Sequence, residues 1–106
     1  MENKELKNII REFKAEIRKF INPDPGKIFL FRSHARGDAV EGSDIDLLLV
    51  SNKKIPSGTM RKIRDISSSL SLRHDVVISE FLFTEKDFKE HKTPFLLNVK
   101  REGILV

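Results

Sequence analysis

A chain of 106 residues has room for one domain around one core, and no second lobe is expected over residues 1–106. Apolar residues make up 39% and charged residues 34%, which excludes a disordered tail on the first count and a membrane protein on the second. No apolar run approaches the ~20 residues that span a bilayer, and the charges of residues 1–7 alternate in sign, unlike a signal peptide; a cytoplasmic chain with no membrane contact is expected. With no cysteine there is no disulfide, no thiolate nucleophile and no sulfur-ligated zinc. Any metal must be a hard cation on carboxylates or on the three histidines. The 20 Lys and Arg against 16 Asp and Glu leave +4, which favours anionic partners, but the cations are scattered from Lys4 to Arg101 and read as a solvated surface rather than a nucleic-acid site. Eight Phe with no Trp or Tyr suit a packed core better than a wet stacking surface, and they leave no tyrosyl hydroxyl as acid, nucleophile or acceptor.

Leu6, Ile9, Ile10, Phe13, Ile17, Phe20 and Ile21 recur at steps of three and four, which predicts an amphipathic helix over about 2–21. Asn22-Pro23-Asp24-Pro25-Gly26 stops it, because proline lacks an N–H and disfavours helix in the residue before it. Lys27 to Phe31 is a short apolar strand. The small, polar run from Ser33 to Asp38 can open with one helical turn capped by Ser33. In the strand Ser43-Asp44-Ile45-Asp46-Leu47-Leu48-Leu49-Val50, period two places Asp44, Asp46, Leu48 and Val50 on one face and Ile45, Leu47 and Leu49 on the other. Pro56 to Thr59 breaks the chain before a second helix over about 59–72, capped by Ser57 or Thr59. His74 to Ser79 reads as a strand headed by Asp75. Thr84 to Asp87 resembles a capping box, and Thr93 with Pro94 opens a last helix that Gly103 closes before the apolar tail Ile104-Leu105-Val106. Helices alternating with strands predict an α/β (α+β) fold, a sheet with helices packed on it.

Asp44 and Asp46 sit at the start of a strand that is otherwise apolar, where an ionised carboxylate is costly unless it is paired or bound to a metal. One reading puts both at a solvated strand mouth, paired with Arg32 or Arg36. The other adds Asp75 from the next strand and makes three clustered carboxylates, an oxygen-only set that suits Mg²⁺ completed by water and substrate phosphates. Two such ions would activate an attacking hydroxyl and neutralise a departing pyrophosphate, which is nucleotidyl transfer.

Phe31-Arg32-Ser33-His34-Ala35-Arg36-Gly37, followed by Gly42-Ser43-Asp44-Ile45-Asp46-Leu47-Leu48-Leu49-Val50, resembles the signature of the minimal MNT nucleotidyltransferases of the DNA polymerase β superfamily. In that family a Gly-Ser pair precedes Asp-x-Asp by ten residues, and ten residues lie between Ser33 and Asp44. The third family aspartate falls on Asp75, and the closing segment Pro94 to Ile104 is similar to the family's last helix.

The resemblance implies a nucleotidyltransferase-like mixed sheet and a set of roles. Ser33 would bind the triphosphate together with the N–H groups of its turn, Arg36 would brace the loop or meet phosphate, and Gly37 would let the backbone turn away. Asp44, Asp46 and Asp75 would hold two Mg²⁺ ions, with Asp75 also the base towards the acceptor. Arg32 departs from the pattern, because the family has glycine there. An arginine either obstructs a backbone that must approach phosphate, with positive φ, or lays a guanidinium on the triphosphate. The implied activity is transfer of AMP from ATP to a tyrosine of a helical HEPN toxin, which would make the chain an antitoxin. The alternatives are an antitoxin that neutralises by binding alone and a basic nucleic-acid-binding module. A homodimer is compatible with the sequence.

Overall fold

The computed structural model describes residues 3–20, 26–37, 39 and 44–106. The expected positions of Ile21, the 22–25 turn, Asp38, Gly42 and Ser43 lie outside the described residues. Helix α1 (Asn3–Arg18) precedes β1 (Lys27–Phe31), a single turn α2 (Ser33–Arg36), β2 (Ile45–Ser51), α3 (Ser57–His74), β3 (Ile78–Thr84), α4 (Glu85–Glu90), α5 (Pro94–Glu102) and the short β4 (Ile104–Leu105). The sheet order is β3-β2-β1-β4. Strands β2 and β3 run parallel and are joined through the α3 crossover, whereas β1 is antiparallel to both β2 and β4. The result is a mixed α/β fold.

The period-two reading of β2 explains its layers. Ile45, Leu47 and Leu49 pack with Ile28 and Leu30 of β1 against Ile9, Phe13 and Ile17 of α1 and Ile63 and Leu70 of α3. Leu48 and Val50 face the opposite way, towards Phe31 and towards Leu96 and Val99 of α5. Every residue of β2 is buried, as expected of a central strand covered on both faces. Full burial of each leucine contributes roughly 1.5–3 kcal/mol.

The predicted third strand, His74 to Ser79, shifts at both ends: β3 runs from Ile78 to Thr84 and shares only Ile78 and Ser79 with it. α3 continues through His74, and Asp75 is its left-handed cap at φ 52°, ψ 49°, its N–H donating to the Ser71 carbonyl. Val76 donates to the same carbonyl, and the Ser71 hydroxyl accepts from Ile78 N–H at 3.1 Å, so the ladder begins at Ile78. Asp tolerates this conformation better than most residues because its short polar side chain can hydrogen-bond locally. Pro56, rather than Ser57 or Thr59, occupies the N-cap of α3, with no side-chain cap. The other two caps agree with expectation: Thr84 accepts from Asp87 N–H at 3.1 Å and Thr93 from Leu96 N–H at 3.3 Å. Gly103 ends α5 without a left-handed turn, and a Cβ there would run into the Val99 carbonyl. α1 is shorter than 2–21, and Phe20 lies 44% exposed just beyond it rather than in the core.

Candidate active site

The two carboxylates of β2 differ in environment. Asp44 is exposed at the strand mouth, while Asp46, one residue inside the ladder, is 3% exposed and stands between Phe31 of β1 and Ser79 of β3. Burial pushes the Asp46 carboxyl above its ordinary value. The Arg32 guanidinium opposes this shift, the neighbouring Asp44 charge adds to it, and His34 opposes it. Asp46 Oδ1 is buried and accepts no hydrogen bond within the described residues. A buried carboxylate oxygen with no donor is a place a cation can satisfy.

Arg32 is the nearest cation. Its NH1 lies 3.5 Å from Asp46 Oδ1, and its guanidinium carbon lies 5.3 Å from the Phe31 ring centre and 5.8 Å from those of Phe81 and Phe95. Those three rings are themselves packed at 5.2 to 5.7 Å. Arg32 also takes φ +63°, the left-handed region that glycine enters freely and other L-residues at about 1–2 kcal/mol. The motif position therefore keeps a glycine-type backbone while carrying an arginine. Cation–π contacts at a half-exposed site contribute ~0.5–1 kcal/mol and offset part of that cost.

The loop that follows agrees with expectation at Gly37 but not at its start, where Ser33 is the first residue of α2 rather than its cap. Ser33 opens α2; Arg36 N–H donates to the Arg32 carbonyl at 3.0 Å, and Gly37 turns the chain at φ +79°. Arg36 NH1 is 3.5 Å from Glu102 at the end of α5, an exposed ion pair that braces the loop.

Asp75 is not brought into the pair. Among the described residues no three His, Cys, Asp or Glu form a group that could hold a metal ion. Asp75 does lie at the same end of the sheet, because Val77, two residues on, accepts the Ile45 N–H through its carbonyl. Its position in the α3 cap, rather than at a strand start, separates it from Asp46, whose partner on β3 is Ser79. The sequence reading also missed the aromatic box. The eight Phe were assigned to core packing, yet Phe81 and Phe95 present partly exposed rings to Arg32. The available signal was period two in β3, which places Ser79, Phe81 and Phe83 on the Asp46 face.

Residues 7–103 match the family described as Nucleotidyltransferase domain. Two proteins of Methanocaldococcus jannaschii are similar along almost their whole length. "Putative protein adenylyltransferase MJ0141" is 34% identical over 102 residues, covering 96% of this chain and 99% of that one, and "Putative protein adenylyltransferase MJ0604" is 35% identical over 103 residues, covering 96% and 94%. Two solved structures share the fold: a toxin–antitoxin with AMP-PNP, at TM-score 0.65 and 19% identity over 93% of this chain and 70% of that one, and the Shewanella oneidensis tri-AMPylated HEPN toxin in complex with its MNT antitoxin, at TM-score 0.53 and 15% identity over 90% and 69%. With a match spanning nearly the whole chain and a carboxylate pair at the mouth of its central strand, the protein belongs to the nucleotidyltransferase domain family.

Proposed function

We propose that the protein is a magnesium-dependent adenylyltransferase that moves AMP from ATP to a tyrosine hydroxyl of a HEPN-type toxin, and so acts as its antitoxin. The observation that carries this reading is the buried Asp46 oxygen without a hydrogen-bond donor, with the Asp44 carboxylate two residues away at the strand mouth. The similarity to adenylyltransferases supports the choice of AMP, and the toxin–antitoxin complexes among the structural neighbours support the kind of partner. Asp44 and Asp46 fit a hard divalent ion that takes two protein oxygens and fills its remaining positions with water and phosphate. When bound, that ion would neutralise charge developing on the phosphates.

In the reaction the tyrosine oxygen attacks the α-phosphorus, a new P–O bond forms, the bond to the bridging oxygen of the β-phosphate breaks, and pyrophosphate leaves. The chain's own part is to hold the triphosphate against the turn Ser33 to Gly37, with Arg32 and Arg36 as its cations, and to keep the α-phosphorus open to an incoming hydroxyl. Asp75, at the same end of the sheet, is proposed as the acceptor of the hydroxyl proton, which requires the α3 cap to approach the pair once a substrate is bound. Asp44→Asn or Asp46→Asn should reduce transfer by at least about 10³-fold with the fold retained, and Asp75→Asn by about 10²-fold. Transfer undiminished in both Asp44→Asn and Asp46→Asn would remove the mechanism.

A second reading has its own observation. Arg32 stands where the family has glycine and rests on Asp46, which suits an antitoxin that neutralises by binding alone. Intact-mass analysis of the toxin after co-expression separates the two readings: added AMP supports catalysis, and an unmodified but silenced toxin supports binding.

A further inference from the structure

Three independent features converge on Arg32: a backbone held at φ +63°, three phenylalanine rings around its guanidinium, and a buried carboxylate oxygen 3.5 Å from its NH1. The rings restrict where the planar group can rest, since its carbon lies 5.3 to 5.8 Å from all three ring centres. They also aim it at Asp46. The contact is nevertheless loose. A direct charge-assisted hydrogen bond between nitrogen and carboxylate is about 2.7–2.9 Å long, and Asp46 Oδ1 has no hydrogen-bond partner. The guanidinium therefore neutralises the carboxylate without satisfying it, and the side chain is 52% exposed and has solvent into which to move.

A divalent ion on Asp46 and a guanidinium at 3.5 Å from the same oxygen would repel each other, so the two cations compete for one position. Resting on the reading of Asp44 and Asp46 as metal ligands, we propose that Arg32 is a resident counter-cation. It fills the Asp46 site until metal and nucleotide arrive together, because the nucleotide's phosphates offer the displaced guanidinium a new anionic partner. Both alternatives for Arg32 then hold in turn: it obstructs the empty site and clamps phosphate in the filled one. Metal alone binds poorly, nucleotide alone meets an arginine engaged elsewhere, and each strengthens the other's binding by the same factor.

The probe is Mn²⁺, read by the electron paramagnetic resonance of the free ion, with and without a non-hydrolysable ATP analogue. In the native protein the analogue should tighten Mn²⁺ binding about tenfold or more. Arg32→Gly, whose residue suits the left-handed backbone, should bind Mn²⁺ alone about tenfold more tightly than the native chain and lose most of the analogue's enhancement. Arg32→Gln keeps a long polar side chain without the charge and should behave in the same way, which separates loss of charge from backbone relief. Asp46→Asn is the control. If Mn²⁺ binding depends on Asp46 but is equal in the native and both Arg32 proteins, the counter-cation is overturned and the metal reading stands. If Mn²⁺ binding is absent throughout, or indifferent to Asp46→Asn, the metal reading itself falls.

Discussion

Asp46 is embedded in a strand whose neighbours are Ile45, Leu47 and Leu48, all fully buried, so its charge is desolvated by the same packing that makes β2 the centre of the sheet. Its carboxyl is raised above the ordinary value of 3.8, chiefly by that burial. A raised acid favours the neutral form in the folded state. The stability it contributes is fully present below 3.8 and is lost as pH rises through the raised value, above which the ionised group costs stability. Asp46→Asn should therefore raise Tm at pH 7, even as the proposed transfer is lost. Calorimetry of the two proteins at pH 7 checks this, and a lowered Tm would mean that the Arg32 attraction outweighs desolvation.

The elements show where local pattern was enough and where it was not. Strand β2 was legible because alternation and turn signals agreed, and α5 was legible because Thr93, Pro94 and Gly103 mark its ends. The α3–β3 junction was not, since His74 to Ser79 alternates well enough to pass for a strand. The hydrogen bonds of Ser71 to Asp75, Val76 and Ile78 decide it, and they form only when the helix is already present. Helix α3 is further tied to α1 by Glu12, which lies 2.9 Å from His74 Nε2 and 3.5 Å from Arg73. The His74 hydrogen bond holds the Glu12 carboxyl below its ordinary 4.5, so this contribution is present above 4.5 and is lost as pH falls through the depressed value. Glu12→Gln should lower the urea midpoint more at pH 7 than at pH 3, because the charged interaction weakens as pH falls towards the depressed value of the native carboxyl. An equal difference at both pH values would show that packing, not charge, links the two helices.

As a whole the molecule is a thin plate, 34 × 30 × 17 Å, with both faces of its sheet occupied by helices. Such a plate is too thin to enclose the proposed protein acceptor, whose own surface would then complete the site. The chain has no tyrosine, and the proposed acceptor chemistry must therefore act in trans. Incubation with labelled ATP and Mg²⁺ should leave this chain unlabelled and label a tyrosine of the partner; strong labelling of this chain alone would overturn transfer in trans. Of the apolar residues near the C-terminus, Leu96 and Val99 are consumed by the core, whereas Ile104 and Leu105 remain 47% and 58% exposed on the edge strand β4. The scatter of cations in the sequence also resolves in space. Lys7, Arg11, Lys14 and Arg18 fall at helical spacing on one flank of α1 and line a single cavity of about 280 Å³ with Val106.

By itself the sequence determined the fold class, the face assignment of β2, two of the helix caps and the family resemblance, because each rests on spacing along a few neighbouring residues. The backbone freedom required at position 32 was also readable, since the motif names a glycine there. Tertiary structure alone decided that β4 closes the edge beside β1 and that Arg32 rests on Asp46 within three phenylalanine rings. The Arg32 arrangement depends on contacts between β1, β3 and α5, where residues as far apart as Phe31 and Phe95 become neighbours only once the sheet has formed and the last helix has packed on it.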